Sequence, residues 1–165
     1  YPIAKAFKLA NNKVVSFIGA RSSRLIIYRN LIEKVSDEVF VATDDGSEGF
    51  KGFVTQLLEN KLSNGFKPDL VWVVGPAPMM RSCSFVTKKF GVKTIASLNP
   101  IMVCGMGMCG ACRVRIGNEV RFTCVDGPEF DAWSVDWDEL LSRLSMFREE
   151  EAYAMKLFLN RVRGE

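Results

Sequence analysis

Cys104-Gly105-Met106-Gly107-Met108-Cys109-Gly110-Ala111-Cys112 is one-third cysteine and one-third glycine, and a further cysteine follows at Cys124. Such a segment suits neither a core element nor an ordinary turn, and the character of the chain changes on either side of it. The protein contains no histidine, which removes His-based acid–base chemistry, Cys/His zinc sites, Rieske centres and His-ligated haem together. Whatever the cysteines bind, they bind with thiolate. The spacing of Cys104, Cys109, Cys112 and Cys124, C-x4-C-x2-C-x11-C, begins as 2Fe–2S ligand sets do, whereas structural zinc sites more often use paired C-x2-C knuckles. A loop wrapped around a cluster must bring thiolates close together and turn backbone N–H groups toward sulfur, which glycine permits. Met106, Met108 and Ala111 are then expected to shield the cluster from water. A disulfide set and a zinc site are the alternatives. Cys83, on a predicted helix, reads as a small buried side chain.

Upstream of this loop, short apolar runs alternate with helical patterns. Ile3, Ala6, Phe7 and Ala10 follow Pro2 at helical spacing. Residues 14–18 predict a strand, 22–34 a helix, 38–42 a strand, 50–61 a helix, 69–74 a strand, 77–90 a helix and 92–96 a strand. That alternation is the signature of an α/β fold with a parallel, doubly wound sheet. Downstream, 113–116 and 119–124 flank Gly117-Asn118 as a hairpin, and Asp136 with Glu139 makes a capping box. A last helix places Met155, Phe158, Leu159 and Val162 on one face, opens with Glu149-Glu150-Glu151 and closes with Arg161, Arg163 and Gly164. The boundary between the α/β part and the cysteine module is expected near 97–100.

The composition is that of an ordinary globular protein: 48% hydrophobic, 25% charged and a net charge of +3 without a basic stripe, so neither nucleic acid nor a membrane surface is implied as a partner. The apolar runs are of strand length, and no signal peptide opens the chain. An intracellular, cytoplasmic protein is expected. Asp44 and Asp45 follow a strand end, where carboxylates accept from nucleotide hydroxyls, but Asp-Asp-Gly-Ser is equally a turn followed by a cap. Arg21 is placed to pair with a phosphate or simply to be solvated. Gly75-Pro76 reads either as a strand-to-helix connection or as part of a ligand crevice at the carboxyl end of a strand.

The residues 73–80 (VVGPAPMM), 97–103 (SLNPIMV), the cluster loop and 124–131 (CVDGPEFD) resemble the small subunit of ferredoxin:NADP oxidoreductases, also known as the sulfide dehydrogenase small subunit. The electron-transfer subunit of dihydroorotate dehydrogenase is similar and is the alternative. The resemblance covers essentially the whole chain. It implies a partial ferredoxin-reductase-like pyridine-nucleotide domain over 1–98 and a 2Fe–2S module with C-terminal helices over 99–165. It further implies NAD or NADP near Gly75, Pro76 and Met79, while Asp44, Asp45 and Arg21 keep both of the readings given above. FAD would be held mostly by an N-terminal barrel, and a flavoprotein large subunit and ferredoxin would be the partners. That barrel, a first strand and a glycine-rich loop precede Tyr1 in the family and are not in this sequence. A gap in the sheet and a fragment unable by itself to oxidise NAD(P)H are therefore expected. No catalytic acid or base is implied. A zinc-stabilised interaction module without redox activity is the rival from a different class.

Overall fold

Val15–Ala20 (β1) and Glu38–Thr43 (β2) are apolar-rich runs of six residues that pair in parallel, Val15 opposite Glu38 and Ala20 opposite Thr43. Parallel strands need a crossover connection rather than a tight turn. Here it runs through a 3₁₀ turn at Ser23–Leu25 and a short helix, α2, at Arg29–Glu33. One continuous helix over 22–34 does not form: Tyr28 takes a left-handed φ of +56°, and the β-branched Ile26 and Ile27 before it are poor helix formers. The N-terminal helix α1 is Pro2–Leu9. Lys8 ties it to Asp37 at 2.6 Å, and Asp37 also accepts from the backbone N–H of Val14.

The helix expected over 50–61 is displaced as well. Phe50–Lys51 instead forms a two-residue strand, β3, on the far edge of β2, and α3 is Val54–Ser63. Gly49 explains the difference, because a Cβ there would lie 2.2 Å from the Val41 carbonyl oxygen, so only glycine lets this turn approach β2. Leu57, Leu58 and Leu62 of α3 are buried in a core with Phe17 and Phe40, whose ring centroids are 5.3 Å apart.

The computed structural model describes residues 1–163, and these fall into two compact units, Tyr1–Lys67 and the chain from Pro68 onward. In the second, Val71–Val74 (β4) and Thr94–Ser97 (β5) pair in parallel, connected by α4 at Ala77–Lys89. Arg113–Ile116 (β6) and Glu119–Phe122 (β7) form the expected hairpin. A four-residue turn of helix, α5 at Thr123–Asp126, takes the place of the strand's predicted end. Glu129–Asp131 (β8) then pairs antiparallel with β5. Chain from beyond the cysteine loop thus completes the β4–β5 sheet. The strands of the α/β part form two three-stranded sheets, with β1 and β4 each at an edge.

Trp137–Leu144 (α6) packs Trp137 and Leu140 into the core of this unit, with Leu140 1% exposed. Half of the predicted capping box forms: Asp136 accepts from the N–H of Glu139, but the Glu139 carboxylate pairs with Arg115 of β6 at 2.8 Å. A buried hydroxyl chain runs from Thr94 to Thr87 at 2.6 Å, and Ser84 donates to the Ala132 carbonyl, which joins α4 to the sheet. The last helix, α7, is Arg148–Arg163 with Glu149–Glu151 in its first turn; Met155, Phe158, Leu159 and Val162 are exposed. Gly164 lies outside the described residues. Among the described residues no helix is long and apolar enough to cross a membrane.

Candidate metal centre

The cysteine loop leaves the end of β5 and enters β6, so its two ends are held by different elements. Leu98 is buried and its N–H donates to the Pro128 carbonyl, and at the far end the hairpin begins one residue after Cys112. Between these anchors Gly105, Gly107 and Gly110 take φ of +70°, +81° and +67°, conformations that side chains with a Cβ rarely adopt. Those dihedrals turn the peptide N–H groups inward. Met106 N and Cys109 N each donate to Cys104 Sγ at 3.5 Å, Ala111 N to Cys109 Sγ at 3.4 Å, and Gly107 N to Cys124 Sγ at 3.2 Å.

The four sulfurs fall into two pairs. Cys112 Sγ and Cys124 Sγ are 3.3 Å apart, and Cys104 is engaged by the backbone and side chain of Cys109. Among the described residues no three such side chains converge as one metal ion would require. Two pairs of thiols is the arrangement a binuclear iron cluster asks for. The donor set therefore fits a 2Fe–2S cluster in chemistry, in number and in the N–H groups aimed at sulfur. Met106 and Met108 do not give the expected shielding, being 65% and 81% exposed. Met102, Val103 and Val125 are exposed as well.

The same bonds set the acidities. N–H donation from Met106, then from Cys109, holds the Cys104 thiol down at about 6. Burial works to raise Cys112, but bonds from Cys124 outweigh it and hold Cys112 below the ordinary thiol range. Cys124 is raised, chiefly by the bond it shares with Cys112. Burial pushes Cys83 up to about 12. Since the thiolate is the reactive form, iodoacetamide is expected to modify Cys104 of the metal-free protein with a rate that rises as pH climbs through about 6 and then levels. Cys83 should stay unmodified until the protein unfolds. Peptide mass spectrometry across a pH series checks both.

Two residues that shape the centre escaped sequence reasoning. Thr123 donates from Oγ1 to the Cys112 carbonyl at 2.6 Å and from its N–H to the same oxygen at 3.2 Å, which fixes Cys124 beside Cys112. Asp126 accepts from Phe122 N at 2.6 Å and closes the turn that carries Cys124. The signal for Thr123 was its place next to a candidate ligand, which spacing alone does not weight.

The residues expected at a nucleotide lie at strand carboxyl ends in both units. In the first, Arg21 and Asp44 are exposed, and the N–H of Asp45 donates to the Arg21 carbonyl at 3.2 Å. The Asp45 carboxylate accepts from both Oγ and N of Ser47, at 2.6 and 2.9 Å, which holds it below the ordinary carboxylate range. Ser47 Oγ in turn accepts from Ser23 N. Asp45 thus organises the turn between β2 and β3. In the second unit Gly75 and Pro76 join β4 to α4, Asn99 Nδ2 reaches the Gly75 carbonyl at 3.5 Å, and Met79 lies in the first turn of α4.

Residues 99–136 match the iron–sulfur cluster binding domain of dihydroorotate dehydrogenase B. The chain is 49% identical over 159 residues to the dihydroorotate dehydrogenase B (NAD(+)) electron transfer subunit homolog of Thermotoga maritima, covering 96% of this chain and 56% of that protein. It is 36% identical to the electron transfer subunit of Desulforamulus reducens, over 79% of this chain and 52% of the relative. Among solved structures, one of the NADH-dependent reduced ferredoxin-NADP oxidoreductase, studied for flavin-based electron bifurcation, superposes with a TM-score of 0.85 at 48% identity. It is matched over 96% of this chain and 57% of its own. The chain spans about half the length of the curated relatives it matches. Residues 99–136 are thus similar to the iron–sulfur cluster binding domain of dihydroorotate dehydrogenase B, and the chain as a whole is similar to electron-transfer subunits and has a ferredoxin-reductase-like α/β fold.

Proposed function

We propose that this chain carries electrons through a 2Fe–2S cluster held by Cys104, Cys109, Cys112 and Cys124, as part of an oxidoreductase of the ferredoxin:NADP oxidoreductase type. The observation that carries the reading is two pairs of thiols on one glycine-rich loop and the turn after it, with four backbone N–H groups directed at three of their sulfurs. When bound, such a cluster takes up and releases single electrons, and the protein's part is to place it and tune its potential. Thr123 and Asp126 hold the turn bearing Cys124, the glycines hold the N–H groups inward, and no residue has to move a proton. FAD would supply the hydride chemistry toward NAD or NADP, for which Gly75, Pro76 and Met79 in the second unit and Asp44, Asp45 and Arg21 in the first would each be candidate contacts. Electrons then pass to a partner flavoprotein subunit, with ferredoxin as a further carrier, in the cytoplasm.

A second reading, the electron-transfer subunit of a dihydroorotate dehydrogenase, is favoured by the domain matched at 99–136 and by the names of the relatives. The subunit that co-purifies tells the two apart. The reading common to both is tested by iron, sulfide and zinc analysis of anaerobically purified protein, with a visible spectrum before and after dithionite. Two irons and two sulfides per chain, with absorption that bleaches on reduction, are expected. Stoichiometric zinc without labile sulfide, persisting after reconstitution, overturns it and leaves a structural clip.

A further inference from the structure

Arg143 lies at the end of α6, far from the cysteines in sequence, yet its Nη2 donates to the carbonyl oxygen of Ala111 at 2.9 Å in a partly buried bond. Ala111 sits between Cys109 and Cys112, and its own N–H points at Cys109 Sγ. The oxygen that Arg143 engages belongs to the peptide whose N–H is that of Cys112, a side chain only 2% exposed. A guanidinium remains protonated throughout the accessible pH range. On a carbonyl it draws electron density along the peptide and leaves the N–H at Cys112 more positive. Partial burial keeps solvent from screening this charge as it screens surface charges.

The helix bearing Arg143 is not free to drift. Leu140 and Trp137 are buried, the Trp137 indole N–H donates to the Ala132 carbonyl at 3.0 Å, and Glu139 pairs with Arg115. One end of α6 is therefore braced on the hairpin and the other on the cysteine loop. Arg113 makes a superficially similar contact, Nη1 to the Gly110 carbonyl at 3.3 Å, but it is longer and exposed.

We propose that Arg143 is a positioning residue for the cluster, fixing the Cys109–Cys112 arm of the loop and raising the reduction potential by placing a fixed positive charge one peptide from Cys112. The inference rests on the cluster reading above. Reduction adds negative charge to the cluster, so a nearby cation favours the reduced form, and neutralising it makes the potential more negative.

The test is a redox titration followed by EPR on the intact protein and on Arg143→Gln, Arg143→Lys and Arg113→Gln, each first assayed for iron and sulfide. For Arg143→Gln the oxidised-to-reduced ratio at a fixed potential should rise at least tenfold, a fall of about 59 mV for a one-electron couple. Arg143→Lys should stay within twofold of the parent, and Arg113→Gln, whose exposed contact is screened by solvent, should shift the ratio less than Arg143→Gln does. Equal potentials in the parent and Arg143→Gln overturn the proposal. If Arg143→Gln folds without a cluster while Arg143→Lys retains it at the parent potential, the positioning role stands, since charge at this place rescues it. Loss of the cluster from Arg143→Lys as well overturns it. Absence of iron and sulfide from the parent protein defeats the cluster reading itself, and is told apart from the other outcomes before any variant is compared.

Discussion

Cys124→Ala is expected to purify nearly colourless, with iron and labile sulfide per chain reduced about tenfold or more. Residues merely adjacent to metal ligands typically cost about 10–100-fold in affinity when replaced, and Cys124 is proposed as a ligand itself. It also does more than donate a sulfur. Its Sγ accepts from Gly107 N at 3.2 Å and lies 3.3 Å from Cys112 Sγ, so it fastens the first half of the loop to the turn after β7. Removing it leaves three thiolates and frees the Gly107 peptide. Cys83→Ala is the matched comparison, because Cys83 is buried on α4 beside Met79 and its thiol is pushed up to about 12 by that burial. It should retain full cluster content. Loss of iron from Cys83→Ala and not from Cys124→Ala would reverse the ligand assignment.

The cysteine loop stood out because ligand chemistry dictates spacing, and the structure brings Cys124 beside Cys112 across eleven intervening residues. The alternation of β1, β2, β4 and β5 with α3 and α4 was legible for a similar reason, since buried parallel strands are short apolar runs and the helices between them keep their own period. What failed to show was decided by contacts distant in sequence. β8 exists because Ile95, Ala96 and Ser97 offer an edge to Glu129–Asp131, and a three-residue run of mixed polarity announces no strand by itself. β3 depends on Gly49 meeting the Val41 carbonyl. The break at Tyr28 depends on a left-handed dihedral that no turn residue marks. At the site, Thr123 and Arg143 act on backbone carbonyls, and a lone threonine or arginine carries no pattern until the fold places an acceptor in front of it. The Asp44-Asp45 segment had two readings from sequence, and the bonds from Ser47 to Asp45 supply the physical basis of the turn.

Leu140→Ala is expected to lower the stability of the second unit by about 2–5 kcal/mol, the range for truncating a large buried aliphatic side chain whose cavity does not collapse. Leu140 is 1% exposed on α6, within the core that also buries Met80 of α4 and Val114 of β6. The three tryptophans, Trp72, Trp133 and Trp137, all lie beyond Pro68, so their fluorescence during urea unfolding follows this unit alone. With a slope of about 2 kcal/mol per molar urea, the middle of the usual range, the midpoint should fall by roughly 1–2.5 M. Val120→Ala, at a position 48% exposed on β7, should change stability by no more than about 0.5 kcal/mol. The consequence reaches the metal centre through α6. That helix holds Arg115 through Glu139 and the Ala111 carbonyl through Arg143, so loosening its seat releases the Cys109–Cys112 arm at Ala111 and the strand that follows it. Chelator-driven loss of iron should therefore be faster in Leu140→Ala than in the parent protein and unchanged in Val120→Ala. A destabilised Leu140→Ala that releases iron at the parent rate would show that the loop holds its shape without α6.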